Sequence, residues 1–291
     1  MSKVLVIGKS GQLAQELVKM CSTPFEVIAL GRNEIDITNS QAISDALALH
    51  KPEAVINASA YTAVDKAEED QEAAFALNES AVKNLATACK RQNTRFIHVS
   101  TDFVFDGNAN RAYMPNSKTN PKGIYGASKL AGEKAVLSTY PENSIIVRTS
   151  WVYSTFANNF VKTMLKLMAS RDSLGVVADQ IGCPTYAKDL ASFLLMLVNQ
   201  TGPDSIYHWS DNGVASWYDF AVAIHDIALN EGLLTKPIAI EPIGTEDYPT
   251  PATRPAFSLL NQKSSQPIKK AKHWTENLQH CIKELKADSL K

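Results

Sequence analysis

The chain has 291 residues, 45% of them hydrophobic and 20% charged, with a formal net charge of −1. That length allows one large domain or two modest ones with ample core, and the composition is that of an ordinary soluble globular protein. The near-neutral balance leaves no basic footprint for nucleic acid and no polybasic patch for a membrane surface.

Strands and helices alternate through the first half. Val4–Ile7 reads as a buried strand from its unbroken aliphatic run, and a glycine turn leads into a helix from about Gly11 to Cys21. Phe25–Leu30 reads as a strand, Ser40–His50 as a helix and Ala54–Ala58 as a strand. A long helical stretch from Asp65 to Gln92 precedes the strand Arg95–Ser100. After the Pro115–Pro121 loop a helix opens near Tyr125, and Ser144–Arg148 is the next strand. Strands separated by helices of this length imply a parallel sheet with right-handed crossovers, a Rossmann-like doubly wound α/β domain over residues 1–150.

Beyond residue 150 the rhythm loosens. Phe160–Ala169, Ala187–Asn199, Trp217–Asn230 and Trp274–Leu285 read as helices, and Val176–Gln180 as a short strand with a polar turn. Five prolines within Thr235–Pro255 argue for an ordered irregular loop. Residues 151–291 are expected to form mainly a smaller substrate-binding lobe over the edge of the sheet, with some elements returning to the first domain.

Cys21, Cys89, Cys183 and Cys281 are far apart with no C-x-x-C pair, the pattern of reduced thiols rather than a disulfide or zinc framework. The apolar run at the N-terminus is too short for a signal sequence, and no stretch approaches the ~20 apolar residues of a membrane span. A cytoplasmic protein is expected.

Gly8-Lys9-Ser10-Gly11-Gln12-Leu13-Ala14 follows a strand and opens a helix. Glycines there let the backbone turn tightly and approach a pyrophosphate, whose charge sits at the helix N-terminus. Lys9 is either a phosphate contact or a solvated side chain. After the second strand, Arg32 stands where many dinucleotide sites carry an acid; it either suits the 2′-phosphate, which leans toward NADPH over NADH, or is a surface arginine with no ligand. Asp36 and Ile37 are placed to cover the adenine. Asn57–Thr62 brings small residues to the end of the third strand, where a cofactor crosses.

Tyr125 and Lys129 stand one helical turn apart, roughly 5–6 Å between Cβ atoms. A cation beside a phenol favours phenolate and draws its pKa down from about 10, as suits a general acid–base. Thr101, at the tip of the fourth strand, offers either a hydrogen bond to a substrate carbonyl or a turn that closes the strand.

Glycine turn, hydroxyl strand tip and Tyr-x-x-x-Lys, in this order and spacing, resemble the extended short-chain dehydrogenase/reductases. Within them, Gly8–Leu13, Asn57–Glu68, Ser100–Gly107, Tyr125–Lys129, Arg148–Tyr153, Asp179–Thr185 and Ala252–Leu260 are similar to the dTDP-4-dehydrorhamnose reductase family. The resemblance spans nearly the whole chain. It implies reduction of the 4-keto group of dTDP-4-dehydro-L-rhamnose to dTDP-L-rhamnose, an activated sugar for surface polysaccharides. It also implies that Gly11, Gln12, Leu13, Asp36, Ile37, Ala60, Tyr61, Thr62 and Lys129 meet the nicotinamide cofactor, with Tyr125 as proton donor and Thr101 as its hydroxyl partner. Thr101, Asp102 and Trp151 match positions lining the sugar pocket. Ala14 and Ser59 depart from the family's usual glycine and alanine.

Some members pair as homodimers through a divalent cation such as Mg, for which Glu16 and Asp189 fall at candidate positions, or else are ordinary surface carboxylates. Arg254, between Thr253 and Pro255, is expected to grip the nucleotide diphosphate, the alternative being a lobe-closing salt bridge to Asp179 or Glu246. Three other activities share the pattern. A dehydratase would need a carboxylic acid where Phe103 stands, an epimerase would retain tightly bound NAD, and a silent regulatory subunit can lose the tyrosine or lysine kept here.

Overall fold

Alternation along the strands decides how the sheet is covered. In the computed structural model, which describes residues 2–20, 24–202 and 204–289, six strands pair in parallel. From one edge they run Ile206–His208 (β6), Ser144–Thr149 (β5), Arg95–Thr101 (β4), Ala54–Asn57 (β3), Ser2–Ile7 (β1) and Phe25–Leu30 (β2). Val4 and Val6 of β1 join the core on one face while Leu5 and Ile7 join the core on the other, as a strand covered on both sides requires.

Helices α1 (Gln12–Lys19) and α6 (Ala187–Leu197) cover the first face with Leu13, Leu17, Leu190 and Leu194. Helices α2 (Ser40–His50), α3 (Ala81–Arg91) and α4 (Ile124–Thr139) cover the second with Leu47, Leu85 and Val136. This is the doubly wound α/β sheet that the sequence implies. Strand β1 has β2 on one side and β3 on the other. The strand order therefore reverses there, and the crevice at the carboxyl ends of β1 and β3 is where such sheets bind ligands.

A third core gathers α5 (Phe160–Ser170), α7 (Trp217–Asn230) and α8 (Trp274–Ser289) around Val161, Met168, Phe220, Ile224, Leu278 and Ile282. Helix α7 starts at a reciprocal cap, with Ser216 Oγ accepting from Asp219 N and the Asp219 carboxylate accepting from Ser216 N. Although α6 and β6 lie beyond residue 150, they belong to the main sheet. No helix among the described residues is long and apolar enough to cross a membrane.

The short strand expected over Val176–Gln180 lies at Ser173–Val177, β6 was not among the expected strands, and two further elements differ from expectation. The proline-rich segment contains a strand, Ala239–Ile243, paired in parallel with Ser173–Val177; Pro242 is tolerated because this ribbon has only two strands. The long helix of residues 65–92 is instead Val64–Ala67, Gln71–Phe75, a π-turn at Ala76–Ser80, and α3. The π-turn points Asn78 inward, where its amide accepts from Tyr61 N (2.9 Å) and donates to Ser128 Oγ (3.0 Å). Such bulges often mark functional sites.

Helix α4 lies so close to this turn that a Cβ on Gly132 would come within 2.0 Å of the Asn78 carbonyl oxygen. Gly132→Ala is therefore expected to lower the unfolding free energy by about 2 kcal/mol. Overpacking costs up to about 3 kcal/mol, and alanine's better helix propensity returns roughly 1 kcal/mol. Denaturant unfolding reads the change, and a variant as stable as the parent would show that α4 can retreat freely.

Candidate active site

Gly8 follows β1 with φ +112°, and a Cβ there would sit 3.0 Å from the Ala58 carbonyl carbon and the Ser59 nitrogen. Only glycine combines that backbone with that approach. Gly11 begins α1, and no side chain caps the helix. Its first-turn N–H groups are left to bind an anion. The Gln12 amide donates to Val152 O (2.9 Å), so this residue offers backbone rather than side chain. Ala14 is fully buried against the sheet, which accommodates the methyl group. A diphosphate fits this turn.

Two cavities meet over it. One, about 730 Å³, is lined by Gly8, Gly11, Arg32, Asp36, Ile37 and Tyr61. The other, about 430 Å³, is lined by Leu13, Thr101, Asp102, Tyr125, Lys129 and Trp151. Gly11, Ala58, Ser59, Ala60 and Thr62 border both. Together the cavities run from the end of β2, at Leu30 and Arg32, to Tyr125. Arg32 is exposed at the rim of the first cavity. Lys9 is ion-paired with Glu34 instead of projecting free toward a phosphate. Asp36 accepts from Thr38 N (2.9 Å) and Thr38 Oγ1 (2.7 Å), which holds its carboxyl below the usual range.

At the other end, Thr101 Oγ1 donates to Asp102 Oδ1 (3.0 Å) and accepts from Phe103 N (3.2 Å). Thr101 thus serves both as the turn that closes the strand and as a hydroxyl facing the site. Burial pushes the Asp102 carboxyl up to about 6. The Tyr125 ring packs edge-on against Phe103, centroids 5.5 Å apart.

The expected effect of Lys129 on this phenol is not what the side chains do. Lys129 Nζ donates to Val99 O (2.7 Å) and lies 3.5 Å from His98 Nε2. Burial, opposed by hydrogen bonding from Thr101 and reinforced by the Asp102 charge, pushes Tyr125 up to about 12. Lys129 is itself drawn down to about 8, by burial against the attraction of Glu133. Tyr125 is therefore a protonated phenol at neutral pH, able to donate.

The family model described as RmlD substrate binding domain matches residues 2–287. A dTDP-4-dehydrorhamnose reductase of Aggregatibacter actinomycetemcomitans is 44% identical over 90% of this chain and 91% of its own length. The chain belongs to the dTDP-4-dehydrorhamnose reductase family. A reductase of that name from Clostridium acetobutylicum superposes with a TM-score of 0.89 at 38% identity, covering 98% of this chain and 99% of its own. One from Bacillus anthracis, solved in complex with NADP, gives 0.92 at 32% identity, covering 98% and 100%.

Motif spacing missed the residues behind the pair. Glu133, one turn beyond Lys129 on α4, is buried in an ion pair with Arg148 (2.7 Å), and accepts from Ser100 Oγ as well. Its i+4 spacing from Lys129 was a usable signal, but its burial was not. On the second lobe, Trp151 has φ +47° and stacks on Trp217 with centroids 3.6 Å apart. A Cβ on Gly182 would lie 2.8 Å from the Trp151 ring, which accounts for the glycine in Asp179–Thr185.

Neither metal candidate is a free surface carboxylate. Glu16 is fully buried and accepts from Ser154 Oγ (2.8 Å), while Asp189 accepts from Lys269 (3.0 Å) and Asn277 (2.9 Å). Among the described residues no group of three or more His, Cys, Asp or Glu side chains is arranged to hold a metal. Cys89, Cys183 and Cys281 are free, buried thiols, and burial pushes each of them up. Cys21 lies outside the described residues.

Arg254 is already engaged. Its guanidinium forks onto both carboxylate oxygens of Asp65 (2.8 and 2.7 Å), neither of the expected partners Asp179 and Glu246. Asp179 instead accepts from Thr245 N (2.9 Å). Arg254 therefore ties the loop of the second lobe to the sheet domain, and its hydrogen bonds hold Asp65 below the usual carboxylate range. A group whose folded pKa is depressed contributes stability above its unfolded pKa and loses it as pH falls through the folded value. Arg254→Ala is expected to cost about 1 kcal/mol at pH 7, since both side chains are partly exposed. The deficit should shrink as pH falls below about 3.9. Unfolding at several pH values tests this; unchanged stability with weaker nucleotide-sugar binding would restore the diphosphate role.

Proposed function

We propose that the chain reduces the 4-keto group of dTDP-4-dehydro-L-rhamnose to give dTDP-L-rhamnose, with NADPH preferred over NADH. The observation that carries this reading is the Tyr125 phenol beside Thr101 and Asp102, in a cavity that meets a second one over the glycine turn. The family assignment supports the substrate class.

When bound, the reduced nicotinamide supplies the hydride. The chain's residues do the rest. Open N–H groups of α1 hold the diphosphate, and the small residues Ala58 and Ala60 leave room for the cofactor to cross the strand ends. Tyr125 gives its proton to the oxygen that becomes the C4 hydroxyl. Thr101 and Asp102 orient that oxygen, and Lys129 secures the ribose beneath it. Trp151 packs at the sugar side of the cavity. The division of labour follows the fold: the sheet binds cofactor, and the second lobe selects the sugar nucleotide. Phe103, where a dehydratase needs an acid, leaves the site without that chemistry.

A coupled assay following reduced-cofactor absorbance with the 4-keto sugar nucleotide tests the reaction. In it, Tyr125→Phe should keep the fold and cofactor affinity but lose roughly 10²–10⁴-fold in kcat, the usual worth of a general acid. A rate near that of the parent would remove Tyr125 as donor. Arg32→Ala should weaken NADPH far more than NADH, because a lost charge-assisted contact is felt only by the phosphorylated cofactor. Titration of both cofactors decides it, and equal losses would place Arg32 in solvent.

A further inference from the structure

We propose that His98 is a positioning residue for Lys129, presenting an Nε2–H to the lysine amine in a direction fixed by Asn57 and Ser59. The inference rests on the reading of Lys129 as part of the active site, and it concerns what controls that lysine.

His98 is fully buried on β4 between Asn57 of β3 and Lys129 of α4. Its Nδ1 is 3.1 Å from Asn57 Nδ2, and its Nε2 is 3.5 Å from Lys129 Nζ. The Asn57 amide cannot be turned round. Its Oδ1 accepts from Ser59 N (3.1 Å) and from Ser59 Oγ (2.6 Å), and a backbone N–H can only donate. The atom facing His98 is therefore the amide nitrogen, which has hydrogens and no lone pair to offer. His98 Nδ1 must accept, so the ring of a neutral histidine carries its proton on Nε2. Burial, with the Lys129 charge, keeps the ring neutral.

That proton points at Lys129. An ammonium has three donors and no acceptor. One donor satisfies Val99 O, but across the 3.5 Å gap an ammonium would meet a second donor. The neutral amine has a lone pair for it. His98 thus adds to burial in favouring the uncharged form. Glu133 on the same helix, itself paired with Arg148 of β5, pulls the other way. Tyr125, one turn earlier, is a neutral phenol and Asp102 acts on that phenol. The protonation of Lys129 is therefore a balance of His98 and burial against Glu133.

Asn57→Asp reverses the direction of the contact. A carboxylate still accepts from both Ser59 donors, but it also demands a proton on His98 Nδ1, which leaves Nε2 as an acceptor for the ammonium. His98→Phe removes the Nε2–H without adding charge. The experiment uses the full chain without ligand: histidine ¹⁵N shifts report the tautomer, and the shift of labelled Lys129 against pH reports its proton affinity. The parent should show the Nε2–H tautomer and Asn57→Asp the Nδ1–H tautomer. Lys129 should bind its proton about tenfold more tightly, one pH unit, in Asn57→Asp, and several-fold more tightly in His98→Phe. An Nδ1–H tautomer in the parent overturns the proposal even if neither variant folds. So does an unchanged Lys129 titration in a folded His98→Phe. No sugar nucleotide enters either measurement, so these results stand apart from the reductase assay.

Discussion

Helix α4 reaches the active site only because two of its residues lack side chains. A Cβ on Gly126 would lie 2.2 Å from the Phe103 carbonyl oxygen, as one on Gly132 would collide with Asn78. Between these approaches the helix is pressed against the end of β4 on one side and the π-turn on the other. The two contacts fix its depth and rotation together. A helix held a side chain's width farther out would still offer Tyr-x-x-x-Lys, but the phenol would no longer reach Thr101 and Asp102.

With the helix so placed, Lys129 and Glu133 on one face lose their water while Tyr125 remains at the cavity wall. Burying a charge without a partner costs several kcal/mol, and the partners are chosen in order of depth. Glu133 meets Arg148 through two hydrogen bonds, from Nε (2.9 Å) and Nη2 (2.7 Å). Lys129 has only a carbonyl and a neutral ring, so its charge is held loosely. Tyr125 is not paired with Lys129, whose Nζ turns to Val99 O, and it keeps its proton. The side chains run from a doubly hydrogen-bonded Glu133–Arg148 pair in the core to a phenol donor at the cavity.

The sheet, its crossovers and the glycine turn were legible in the sequence because each rests on a local signal. Buried parallel strands read as unbroken aliphatic runs, and Gly8–Ala14 follows one of them directly. What was not legible depends on partners distant in the chain. Asp65 and Arg254 are nearly two hundred positions apart, and no spacing rule joins them. The strand Ala239–Ile243 was masked by Pro242, since its pairing with Ser173–Val177 supplies the order that its own composition lacks. The pull of Lys129 on Tyr125 was misjudged for a related reason. Helical spacing puts two residues on one face, but the acceptors around them decide where an ammonium turns.

The same distinction explains Trp151, which lines the cavity with Tyr125. Trp151 follows the strand tip of β5, and as a bulky residue at positive φ it carries about 1–2 kcal/mol of backbone cost. Its ring is held by the parallel face of Trp217, whose other neighbour is Phe160 at 4.7 Å, and by the bare backbone of Gly182. Aromatic pairs of this kind contribute about 0.5–1.5 kcal/mol beyond the area they bury, comparable with the strain. The conformation persists because Trp217 and Gly182, from separate segments of the second lobe, both close on the Trp151 indole. Trp151 is therefore held in the cavity lining by the protein's own contacts.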